Sequence, residues 1–303
     1  DATRASPSRP MLHYNSWFDF SSWQEPNVSL HYRNMSETIC LDRVQQFGEQ
    51  LVRRRGVQMD SFLWDDGWDN QTSLWEFNLD LFPRAFDRVG AAAEKYGTGI
   101  GVWLSPWGGY GEAKDARLAA GKAHGYETSV SQVGEGFSLS GTKYFNRFHE
   151  IMLSMVTRFG VNMFKVDGIG FEGNHTVIAS EMDGMLSLVR ELRESSSTPL
   201  FVSLTTGTWP SPFWLQHGDT IWRGHGDLGL EGHGSNRQQW ITFRDAVVFH
   251  LVYKRAPLFP LCGLMLHGIV VGAVGQSRVA GLGTIDSLSH FEQEVWTYFA
   301  MGV

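Results

Sequence analysis

The sequence predicts an α/β chain folded as a (β/α)8 TIM barrel, lacking its last strand within the residues read. Three observations predict it. Seven short apolar runs are interspersed with six longer amphipathic ones, the pattern of buried parallel strands covered by helices. A length of 303 residues suits one large barrel. Hydrophobic residues make up 42%, and 12 Trp and 20 Phe supply bulk for a sizeable core, which excludes a disordered chain.

Residues 1–10 are polar and Pro-containing and read as a flexible tail, leaving 11–303 as a single barrel domain. Strands are expected over Met11–Trp17, Ser61–Asp65, Gly99–Leu104, Met163–Val166, Leu200–Leu204, Thr220–Trp222 and Pro257–Leu264. Helices are expected over Cys40–Arg55, Ala85–Tyr96, Lys143–Phe159, His175–Ser195, Asn236–Lys254 and Ser289–Met301. The last carries Phe291, Val295, Trp296, Phe299 and Ala300 on one stripe. Pro106–Gly141 is Gly-rich without a strong period and too long for a routine connection, so it reads as a loop excursion over the active-site rim. Right-handed crossovers make a barrel the natural closure, with a doubly wound open sheet as the alternative. An eighth strand would have to follow the helix ending at Met301, where only two residues remain.

The balance of 25 basic against 32 acidic residues, net −7, excludes a basic face for nucleic acid. Cys40 and Cys262 make neither a disulfide framework nor a zinc spacing. With no apolar run of 18 residues, no membrane span is expected. The chain starts at Asp1 without a signal peptide, as a processed secreted protein or an excised domain would, and the expected location is secreted or extracytoplasmic.

Acidic and aromatic residues gather where the expected strands end, which in a barrel is the catalytic rim. The second strand runs into LWDDGWD, with Asp65, Asp66, Trp68 and Asp69; the fourth into FKVDG, with Lys165 and Asp167; the sixth into WRGHGD, with Arg223, His225 and Asp227. A lone Asp after a strand is as readily a helix N-cap, but caps need no neighbouring Lys, Arg or Trp. Trp17 after the first strand and Trp103 and Trp107 at the third add aromatic faces. Rings beside carboxylates suit a carbohydrate partner, whose C–H faces stack while its hydroxyls donate to acids. Glycoside cleavage needs a pair of carboxyl groups, and Asp167 with Asp227 is the natural pair. Lys165 shares a strand face with Asp167 and would keep it ionised. Asp227 would need a raised pKa to act as the acid. No cofactor or metal is required.

This ordered set resembles the retaining α-galactosidases and α-N-acetylgalactosaminidases of glycoside hydrolase families 27 and 36. It comprises NSW at Asn15–Trp17, DDGW at Asp65–Trp68, KVDG at Lys165–Gly168 and RGHGD at Arg223–Asp227. The resemblance implies a nucleophile at Asp167 and an acid/base at Asp227. It implies that Asp65 and Asp66 hold O4 and O6 of a galactose-configured sugar, that Lys165 reaches O3 and O4, and that Arg223 lies on the side of the 2-substituent, with Trp17 and Trp103 as walls. In the loop TTGTWPSP, Trp209-Pro210 resembles a family 27 pair, which places small residues, Thr208 and Ser211, where galactosidases carry larger ones. That implies room for a 2-acetamido group. The chain departs from the pattern in lacking the family 27 loop cysteines and in its long third-to-fourth connection. Two other readings compete: a non-catalytic carbohydrate-binding barrel, and a metal-dependent hydrolase using His217, His225, Asp227 and His233.

Overall fold

A computed structural model describes residues 11–19, 35–131, 134–170, 175–222, 231–234, 236–246, 249–250, 254–255, 260–265 and 296. Seven strands form one parallel sheet: β1 (His13–Asn15), β2 (Ser61–Trp64), β3 (Gly99–Leu104), β4 (Val161–Val166), β5 (Phe201–Leu204), β6 (Thr220–Trp222) and β7 (Leu264–Met265). They lie side by side in chain order. A doubly wound sheet reverses its strand order at a switch point. The consecutive order here is that of a barrel, and the architecture is a partial, TIM-barrel-like α/β fold. Of the expected seventh strand Pro257–Leu264, residues 257–259 lie outside the described residues, a 3-10 turn occupies Leu261–Gly263, and described pairing to β6 begins at Leu264. No eighth strand and no closure of β7 on β1 occurs among the described residues.

The helices follow from local chemistry. α1 (Glu37–Phe47) opens where the Ser36 hydroxyl accepts the Ile39 amide, earlier than the expected Cys40, and continues as a π-helical turn over Gly48–Arg53. Gly48 lets Tyr96 close against that turn, since a Cβ there would meet the Tyr96 ring at 2.5 Å. α2 covers Asp87–Glu94. The stretch expected to be a loop excursion instead holds a helix, α3 (Gly111–Ala123), and a two-stranded ribbon, Thr128–Ser131 with Gly134–Phe137. Hydropathy misses α3 because its buried positions are Ala113, Arg117, Leu118 and Gly121, helical in spacing but carried by small or charged residues. α4 (Thr142–Phe159) ends at left-handed Gly160, as a C-terminal glycine should, and α5 covers His175–Ser195. α6 is described over Asn236–Ala246, the front of the expected Asn236–Lys254 helix. The expected helix over Ser289–Met301 lies outside the described residues apart from Trp296.

Register sorts the sheet into two faces. Phe62 pairs with Ile100, and Val102 with Phe164, which pairs with Val202; these side chains belong to the apolar layer beneath the helices. On the alternate positions Leu63, Gly101 and Met163 stand in one row, and Trp103, Lys165 and Ser203 in the next. Lys165 and Ser203 thus face the interior toward the carboxyl ends of their strands, and Ser61 is buried on the same face at the start of β2. Outside, Tyr14, Phe47, Phe62 and Trp64 form one aromatic cluster, and Trp68, Phe77, Phe82, Phe86 and Phe159 a second.

Candidate active site

Asp167 follows β4, the central strand, and its carboxylate is the most heavily donated group among the described residues of the rim. Its Oδ1 accepts from the Gly168 amide at 2.7 Å, Thr205 Oγ1 at 2.6 Å, Thr206 Oγ1 at 2.9 Å and the Tyr110 hydroxyl at 3.1 Å. Its Oδ2 accepts from Trp103 Nε1 at 3.0 Å and lies 3.9 Å from Lys165 Nζ. Burial pushes this carboxyl up, but Lys165 and the Thr205, Trp103 and Thr206 donors outweigh it, and the pKa falls below the ordinary aspartate value. One oxygen is therefore anchored while the other, on an ionised group, carries fewer donors.

The donors are positioned by two laced loops. The amides of Ile169 and Gly170 donate to the carbonyls of Thr205 and Thr206, and the Thr205 amide donates back to Val166. Thr206 sits at φ 44°, a costly conformation for a β-branched residue, which brings its hydroxyl onto Asp167. Gly207 has φ 99°, and a Cβ there would stand 2.2 Å from Gly170 Cα, so both loops need glycine where they cross.

Lys165 Nζ bonds Asp65 Oδ2 at 2.8 Å and lies 5.5 Å from the centre of the Trp17 ring. Asp65 is fully buried; its amide donates to Ser16 Oγ and its Oδ1 accepts the Asp66 amide. Burial pushes Asp65 up, with Lys165 pulling against it. Trp17 is fixed by the Asn15 side chain, which accepts its amide, and the following turn is tied down where Tyr14 and Arg43 both donate to Asp19. The structure thus brings Trp17, Asp65, Trp103, Lys165 and Asp167 together around one ammonium group.

Asp66 has a different partner, which the sequence reading missed. Arg117, fully buried on α3, donates to Asp66 Oδ1 at 2.9 Å, forks onto both oxygens of Asp69 at 2.8 and 2.7 Å, and holds the Gly108 carbonyl at 3.0 Å. Its guanidinium lies 4.3 Å from the Trp75 ring centre and 5.6 Å from that of Trp103. Burial nonetheless pushes Asp66 up to about 6, Arg117 opposing and Asp69 adding to the rise. Trp68 is a core residue, its indole N–H donating to the Trp103 carbonyl.

Thr208 is buried, and its hydroxyl donates to the Leu204 carbonyl while accepting the Trp222 amide, joining the end of β5 to the end of β6. Trp209 stands 58% exposed, edge-on to Trp214. Neither side chain is brought onto the Asp167 cluster by any of these bonds. Arg223, His225 and Asp227 lie outside the described residues. His217 lies tilted against Phe213 and His233 is exposed; no group of three His, Cys, Asp or Glu side chains able to hold a metal occurs among the described residues. None of the described helices is long and apolar enough to cross a membrane.

No protein-family model and no curated protein matches the chain. Solved structures share its fold. The α-galactosidase of Lactobacillus brevis superposes with a TM-score of 0.63 at 14% identity, over 98% of this chain and 40% of its own. A GH36 α-galactosidase of Geobacillus stearothermophilus, solved with raffinose, gives 0.62 at 13% identity over 97% and 42%. The α-galactosidase of Thermus thermophilus, solved with p-nitrophenyl α-D-galactopyranoside, gives 0.51 at 16% identity over 80% and 47%. The chain thus spans less than half the length of each. What the likeness establishes is the fold, a partial barrel of the kind found in GH36 α-galactosidases.

Proposed function

We propose that this chain is the catalytic barrel of a retaining α-glycosidase acting on terminal α-galactosides or α-N-acetylgalactosaminides. The observation that carries the reading is Asp167, a buried carboxylate kept ionised at the rim, with Oδ1 anchored and Oδ2 beside Lys165. A nucleophile needs this division, because an oxygen saturated with donors attacks poorly. In the first half-reaction Asp167 Oδ2 bonds to the anomeric carbon while the glycosidic bond breaks and Asp227 protonates the departing oxygen. In the second, Asp227 takes a proton from water, whose oxygen replaces Asp167. Asp65, Asp66 and Lys165 receive and donate to the sugar hydroxyls, and Trp17 and Trp103 flank its ring. The role of Asp227 and that of Arg223 rest on the sequence motif.

Support comes from two independent directions. Neighbours of the same fold are α-galactosidases, and DDGW and KVDG follow β2 and β4 of the sheet, with RGHGD next in the sequence. The reading extends to 2-acetamido sugars on the small side chains of Thr208 and Ser211. The test is hydrolysis of paired p-nitrophenyl α-galactoside and α-N-acetylgalactosaminide, with Asp167→Ala as the blank and the anomer of the first product read by NMR. Turnover of either with retention, absent in the variant, is expected; inversion, or no turnover of both, removes the proposal.

A further inference from the structure

We infer that Tyr110 is a catalytic residue, its phenol holding the non-attacking oxygen of Asp167 so that this oxygen takes back charge when the glycosyl–enzyme ester breaks. The inference rests on the glycosidase reading above. Its starting point is an unusual pairing: the Tyr110 side chain is 45% exposed, yet its hydroxyl reaches a buried carboxylate at 3.1 Å.

The chain is built to deliver that hydroxyl. Gly108, Gly109 and Gly111 flank Tyr110 at φ 105°, 92° and 54°, a backbone that other residues adopt only under strain. Arg117 holds the Gly108 carbonyl, and a Cβ on Gly109 would stand 2.7 Å from Arg117 Nη1 and 3.1 Å from Trp103. On the opposite side, a Cβ on Gly168 would stand 3.2 Å from the Tyr110 hydroxyl. Tyr110 is also the residue from which α3 starts, so the helix that seats Arg117 fixes its backbone. The approach is thus cleared on both sides and anchored from behind.

The chemistry follows from where charge resides. When C1–Oδ2 forms, the electron pair of the glycosidic bond leaves with the aglycone oxygen, and Oδ1 becomes an ester carbonyl. When water displaces the ester, the C1–Oδ2 pair returns to the carboxylate and Oδ1 regains charge. A donor on Oδ1 stabilises the carboxylate more than the ester, so it favours the second step over the first.

With an activated aryl glycoside, Tyr110→Phe is expected to lower kcat by about tenfold and KM by more than that, so that kcat/KM rises, and to produce a pre-steady-state burst as the ester accumulates. The Asp167 titration, followed by NMR of the labelled carboxyl in the sugar-free protein, is expected to move up. Lys165, Asp65 and Tyr110 are the titratable groups of the described residues that bear on it. An active wild type whose variant keeps kcat, KM and the titration overturns the role of Tyr110 alone, as does an equal fall in kcat and kcat/KM without a burst. A wild type inert toward both glycosides overturns the glycosidase reading, and the catalytic role with it.

Discussion

Asp66 and Asp167 lie under one rim, are both buried, and are driven in opposite directions. Asp167 has Lys165 and several neutral donors; Asp66 has one arginine that it shares with Asp69, so burial wins and its pKa rises to about 6. A sugar hydroxyl donates well only to the ionised form. On the proposed function, galactose or N-acetylgalactosamine should therefore bind more weakly as pH falls through about 6, approaching about tenfold per pH unit below it. Asp66→Asn should bind weakly at every pH with that inflection gone. Calorimetric titration from pH 4.5 to 8 checks this, and an inflection that survives the substitution would assign it to another group. The carboxylates themselves were legible in DDGW and KVDG because acids beside Trp and Lys after a strand have few other uses. Thr205, Thr206 and Tyr110 were not, since a polar residue in a Gly-containing loop reads the same whether it faces solvent or a buried acid. Only the crossing of the loops after β4 and β5, and for Tyr110 the turn that opens α3, tells them apart.

At the scale of elements, α3 decides how the site is held. The sequence places six strand positions closely, because β-branched and aromatic runs bounded by turns are distinctive; α3 escaped because its inward stripe centres on an arginine. That arginine is the clamp between α3 and the segment after β2, with Gly121 packed so closely on Phe137 that a Cβ there would stand 2.3 Å away. Arg117→Met keeps an unbranched apolar side chain but removes the guanidinium that lies over Trp75 and leaves Asp66 and Asp69 buried without their cation. Breaking a buried pair in this way costs about 3–5 kcal/mol. Arg117→Lys should recover only part of it, because an ammonium cannot fork onto both oxygens of Asp69 and reach Asp66 as well. Denaturant melts of the three proteins at pH 7.5 check the order. A loss under about 1 kcal/mol for Arg117→Met would show that α3 is held by apolar packing instead.

Across the molecule, stability and chemistry occupy opposite faces of the same sheet. The outer face is aromatic and aliphatic, while the inner rim buries Asp65, Asp66, Asp69, Lys165, Asp167 and Arg117. Such a concentration of charge is costly to fold, and its cost depends on pH. For Asp66 the folded pKa lies above the unfolded one, so the folded state binds the extra proton. Its contribution favours folding below about pH 4, is lost as pH rises through about 6, and leaves a penalty at neutral pH. Asp167 works the other way, stabilising above its unfolded pKa and losing that as pH falls toward its lowered folded value. The two therefore act in different windows and can be separated. Asp66→Asn, which carries no charge at any pH, should melt above the wild type at pH 7.5, and the gap should narrow by pH 4.5. A gap of the same size at both values would mean that Asp66 is ionised throughout, fully compensated by Arg117, and that the rim imposes no pH-dependent cost through this residue.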